Sequence, residues 1–186
     1  MIETTDPESF RLVSEYRADL ATYACRQYSA ELVDDHARAK QLRRQLRDSG
    51  AIGAGAGRLV YKFPERGYER GGYERYVLKL AVPNDNSGGQ DGCAQNCREA
   101  TLWARTESEL LMPVVAADPE GYWLVMVRGE PLPERETGFE AFKRSASQQL
   151  RGDVAPVDIT RDNTVRLDGD CRLCDYGVAP ASASDG

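Results

Sequence analysis

Histidine and lysine are scarce in this chain of 186 residues. His36 is the only histidine, and of the 24 basic residues just four are lysines: Lys40, Lys62, Lys79 and Lys143. One histidine, set in a helix-like stretch, leaves no ready Ser-His-Asp constellation. No apolar run reaches the roughly 18 residues that a membrane helix requires, so no membrane partner is expected. The first six residues are polar and acidic rather than a charged-then-apolar secretory leader. Five cysteines cannot all pair, and without such a leader the expectation is reduced thiols in a cytoplasmic protein. Basic excess is lacking too: the net charge of −6 gives no footing for general nucleic-acid binding, and no nucleic-acid partner is expected.

What is present suits an α+β protein. Hydrophobic residues make up 41% and charged residues 29%, enough apolar material for the core of one domain. Residues 7–48 read as helix, with Asp6 as cap and Pro7 in the first turn, and apolar residues at Phe10, Val13, Tyr16, Leu20 and Tyr23. A second helix over 30–46 carries a basic side (Arg38, Lys40, Arg43, Arg44, Arg47), read as a solvated face. From residue 50 the pattern changes to strands and turns. Strands are expected at 58–63, 76–82, 113–117, 122–128, 164–167 and 171–174, and helices at 94–105 and 139–150. A polar hairpin tip over 64–75, a loop over 84–92, a Pro-broken linker over 129–138 and a disordered tail over 179–186 complete the reading.

Five places could carry chemistry. Lys79 stands within the apolar run Tyr76-Val77-Leu78-Lys79-Leu80-Ala81, where an ammonium is costly without a partner. Glu99, 20 residues later on a helix, is a carboxylate that could pair with it. Asp158 and Asn163 stand five apart, and Asp175-Tyr176-Gly177 follows 12 residues beyond. Ahead of them, Gly53-Ala54-Gly55-Ala56-Gly57 lies between two expected strands and lacks the Gly-Lys-Ser/Thr ending of a Walker loop. A cation, a carboxylate to hold it and a later Asp/Asn/Asp set are parts that can bind a nucleoside triphosphate and its magnesium.

In that order and spacing the chain resembles the protein-kinase-like superfamily, in particular the short kinase-like proteins of phages and prokaryotic mobile elements. The resemblance covers residues 50–178. It implies a small antiparallel β lobe with one main helix (50–128), a reduced helical C-lobe (129–178) and an N-terminal helical extension (1–49). It implies ATP and Mg2+ as ligands and phosphoryl transfer to a hydroxyl as the reaction. Lys79 would hold phosphates, Glu99 would position Lys79, and Asp158 would be the base. Asn163 and Asp175 would bind the metal. Gly53, Gly55, Gly57, Val60 and Met126 would wrap the nucleotide, Met126 from the strand that runs into the hinge.

The chain departs from the family pattern in several places. Arg58 stands where the loop's third glycine would be, and Pro156-Val157 replaces the His-Arg before the catalytic Asp. Thr160 stands where a cation would follow, and only nine residues come after Gly177, too few for an activation segment. These departures keep open a catalytically inactive kinase-like scaffold, a pseudokinase that binds a partner protein. A further alternative is a zinc-stabilised domain in which Cys93, Cys97, Cys171 and Cys174 supply four thiolates.

Overall fold

The computed structural model of the chain describes residues 50–55, 57–62, 76–81 and 91–177, with a few helical positions between 37 and 48. The helical state at those few positions agrees with the second expected helix. The rest of the N-terminal extension, the hairpin tip at 64–75, most of the loop at 84–92 and the tail lie outside the described residues.

The described part is α+β. A five-stranded antiparallel sheet is built from β1 (Gly53–Ala54), β2 (Arg58–Lys62), β3 (Tyr76–Ala81), β4 (Val114–Ala117) and β5 (Trp123–Val127). Its order is β1-β2-β3-β5-β4. A second sheet has the order β6-β7-β8, from β6 (Glu130–Pro131), β7 (Thr164–Leu167) and β8 (Asp170–Leu173). Two helices pack with them, α1 (Gly92–Thr106) and α2 (Phe139–Gln149).

Alternation decides the faces of the first sheet. Leu59, Tyr61, Leu78, Leu80, Trp123 and Val125 form a cluster on one face. Val77, Leu124, Met126, Val114 and Ala117 turn to the other, where they join Leu102 and Ala100 of α1 in the larger core. β3 and β5 are therefore buried on both faces and read as continuous apolar runs, while β2 shows a clearer period of two. Lys79 shares the α1 face with Val77 and lies opposite Val60 on β2 and Leu124 on β5.

The start of α1 is fixed by Asp91, whose side chain accepts the backbone N–H of Cys93 at 2.9 Å. The helix ends at Glu107, in the left-handed conformation with its N–H on the Trp103 carbonyl. In α2, Phe139, Phe142 and Ala146 recur at helical spacing and all face the core. The β7–β8 turn, Asp168-Gly169, has positive φ at both residues (53° and 95°), the backbone of a tight two-residue hairpin.

Two expectations are corrected here. The glycine run is not a free loop, because Gly53 and Ala54 pair with Val60 and Leu59 as a short edge strand. β1 ends at Ala54, and the Gly55 N–H donates to the Arg58 carbonyl at 2.9 Å. The linker at 129–138 contains β6, which pairs with β7 although Pro131 can donate nothing to the ladder. As the outer strand of its sheet, β6 tolerates that loss.

Candidate functional site

A cleft of about 560 Å³ opens between the two sheets. Gly53, Gly55 and Val60 of the first hairpin, Lys79 of β3 and Met126 of β5 line it from one side. Asn163, Val165, Cys174 and Asp175 line it from the other, and Arg128, Gly129 and Pro131 close the connecting edge. Of the residues singled out from the sequence for a nucleotide site, seven therefore meet in one cavity: Gly53, Gly55, Val60, Lys79, Met126, Asn163 and Asp175.

Glu99 lies behind the cleft lining and holds Lys79 in it. It projects from the sheet-facing side of α1, with Gln95, Asn96 and Ala100, and is wholly shielded from solvent. A single helix carboxylate suggests a surface residue, and burial corrects that default. Its Oε2 lies 2.7 Å and its Oε1 3.0 Å from Lys79 Nζ. Oε1 also accepts the backbone N–H groups of Tyr176 (3.0 Å) and Gly177 (3.1 Å), and stands 3.0 Å from Arg58 Nη2. Burial alone would push this carboxyl up; Arg58 and Lys79 outweigh it and hold the group down at about 2.

Lys79 sits in the middle strand of its sheet and is 5% exposed, so it is not an edge lysine turned to water. Its ammonium also donates to the Cys174 carbonyl. β3, α1 and the segment after β8 are thereby tied at one point.

Arg58 departs from the glycine pattern in the sequence, yet it is built into the site. It is buried, donates to Asn96 Oδ1 at 3.3 Å, and pairs with both Glu99 and Asp175. Asn96 in turn donates to the Gly121 carbonyl at 2.8 Å. Desolvation draws the guanidinium down, but Glu99 and Asp175 outweigh it and leave the group raised. Asp175 keeps 43% of its side chain exposed toward the cleft. The only local signal for Arg58 is a basic residue at the start of an apolar strand.

The Asp158–Asn163 loop is closed by its own polar groups. Asn163 donates its side-chain N–H to the Asp158 carbonyl at 2.9 Å, and Thr160 accepts the Asn163 backbone N–H at 3.3 Å. Arg161 reaches back to the carbonyls of Pro133 (2.6 Å) and Glu134 (3.0 Å) and lies 5.3 Å above the Phe139 ring. Sequence reasoning gave Arg161 no role, and here it pins the linker before α2. Asp158 occupies a short 3-10 turn over Pro156–Asp158 just outside the cleft lining, with Oδ2 buried and without a hydrogen-bond partner. Burial, and then the neighbouring Asp175, push its carboxyl up.

Gly57 does not line the cleft. Its carbonyl abuts the start of α1, where a Cβ on Gly92 would stand 2.0 Å from it. The zinc alternative is corrected as well: among the described residues, no three His, Cys, Asp or Glu side chains gather as a metal site. Burial instead pushes the Cys174 thiol up to about 11, far from a ready thiolate.

For a magnesium ion the chemistry is more modest. Asn163 and Asp175 offer hard oxygens on one wall of the cleft, and magnesium commonly takes one or two protein oxygens with phosphates and water for the rest. The donor set fits. Among the described residues, no helix is long and apolar enough to cross a membrane. No protein-family model matches the chain, and no curated protein matches it.

Proposed function

We propose that this chain binds ATP with Mg2+ in the cleft between its two sheets and is built for phosphoryl transfer to a hydroxyl acceptor. One observation carries the reading: Lys79, held from behind by buried Glu99, lines the same cleft as Asn163 and Asp175. A fixed ammonium opposite hard oxygen ligands is the arrangement that holds a polyphosphate and its metal. The apolar part of the lining, with Val60, Val77, Met126 and Val165, suits a planar base.

Lys79 is pre-positioned by Glu99 and would meet the phosphates. Asn163 and Asp175 would hold magnesium, whose chemistry there is to offset charge on the phosphate oxygens. Asp158 would accept the proton of the acceptor hydroxyl while that hydroxyl's oxygen bonds the γ-phosphorus and the bond from phosphorus to the ADP oxygen breaks. Its raised carboxyl favours that task.

A second reading, a catalytically silent kinase-like scaffold, draws on the Arg58–Asp175 pair, which already engages the metal-binding carboxylate. Thermal unfolding with ATP, Mg2+, both or a chelator separates the two. A ligand that binds only the folded state adds about 2.7 kcal/mol at 100 times its dissociation constant. The nucleotide reading expects a rise in midpoint that needs ATP and Mg2+ together and is lost in Asp175→Asn. No rise with any combination would leave the scaffold.

A further inference from the structure

Arg58 holds one oxygen of Asp175, Oδ1, and is itself locked by Glu99 and Asn96 on the buried side. At 4% exposure it cannot reach a ligand in the cleft, so any effect on the site passes through Asp175. Two consequences follow for a cation approaching from the cleft. The carboxylate's charge is already shared with a guanidinium on Oδ1, and Oδ2 is the oxygen turned to a cation without competition from Arg58. Magnesium accepts such a single-oxygen contact, because it needs a small octahedral shell and keeps waters and phosphates. Calcium takes six to eight oxygens, often with a bidentate carboxylate, and is poorly served.

Resting on the nucleotide-binding reading above, we propose that Arg58 is a positioning residue that weakens and narrows the metal site. It restricts Asp175 to one coordinating oxygen and so favours Mg2+ over Ca2+ with the bound nucleotide. Its place at the first residue of β2 suits this role. The backbone is fixed by pairing with Ala81, and the side chain crosses beneath the cleft to a residue 117 positions later.

The test is ATP binding to the full chain by calorimetry, titrated separately with MgCl2 and CaCl2, for the wild type, Arg58→Lys and Arg58→Gln. Lysine keeps the charge beside Glu99 but loses the fork that spans to Asp175. In the wild type, Ca2+ should support ATP binding at least about fivefold less well than Mg2+, a modest coupling for two linked sites. In either variant the Mg2+ midpoint should fall by a similar factor and the Ca2+ disadvantage should shrink. Equal support by both metals in the wild type overturns the proposal whether or not the variants fold. An unchanged or higher Mg2+ requirement in a folded variant overturns it too. If the wild type binds no ATP with either metal, the nucleotide reading itself fails and the proposal falls with it.

Discussion

Lys79 Nζ lies 2.7 Å from Glu99 Oε2, and both residues are almost completely removed from water. Glu99 also serves Arg58 and two backbone N–H groups, so the two ends of this pair are not equivalent. Removing one partner of a buried ion pair costs about 3–5 kcal/mol because a charge is stranded. Lys79→Met leaves Glu99 with Arg58 and should fall at the low end. Glu99→Gln strands Lys79 and removes one of the two carboxylates that hold Arg58, and should fall at the high end or beyond. Urea unfolding of both variants gives the order, and a larger loss in Lys79→Met would contradict this account.

The same carboxylate sets an acid limit. Its pKa falls from an ordinary 4.5 to about 2 in the folded chain. A depressed folded value means that the stabilisation is fully present above 4.5 and is lost as pH falls toward 2. The full shift amounts to about 3 kcal/mol. Asp158, raised in the fold, works in the opposite sense and is stabilising only on the acid side. Stability measured from pH 6 to 2.5 should drop chiefly below 4.5, and Glu99→Gln should lose most of that limb. An equally steep limb in the variant would remove Glu99 as its cause.

Two glycines of the site should respond in contrasting ways. A Cβ on Gly177 would stand 2.6 Å from the Gln95 carbonyl oxygen, a backbone atom that cannot swing aside. Gly177→Ala should therefore cost about 1–3 kcal/mol, the usual range for overpacking, and loosen the segment from α1. A Cβ on Gly55 meets nothing nearer than 3.9 Å. Gly55→Ala should change stability by no more than about 0.5 kcal/mol. Melting curves of the two variants side by side decide it; equal effects would mean that the close approach at Gly177 is not tight.

Tyr176 is buried, and its hydroxyl donates to the Met112 carbonyl at 2.9 Å. Tyr176→Phe leaves that carbonyl without this donor and should cost about 1–2 kcal/mol. The ring faces the core rather than the cleft, so under the nucleotide-binding proposal the affinity for ATP should stay within about twofold, a change under 0.5 kcal/mol. A stability equal to wild type would show that the hydroxyl contributes nothing to the fold.

Much of the scaffold could be read from local pattern. The alternation in 58–62, the apolar run at 76–81 and the Asp168-Gly169 turn each place an element within a residue or two of its observed bounds. Short-range pattern failed where pairing partners lie far away. Gly53–Ala54 and Glu130–Pro131 have weak strand propensity and become strands only because β2 and β7 offer them an open edge.

The sequence by itself determined which chemistry the chain could assemble: one lysine in an apolar strand, one carboxylate on the following helix, and an Asp/Asn/Asp set near the end. Those assignments rest on residue type and on spacing along one element, both local quantities. Tertiary structure alone decided that Glu99 is buried, that Arg58 crosses to Asp175, that Gly57 leaves the cleft and that Cys93, Cys97, Cys171 and Cys174 do not gather as a metal site among the described residues. Burial and ion pairing depend on which distant segments meet. Arg58 and Asp175 are 117 residues apart, and nothing in the neighbourhood of either one records the other.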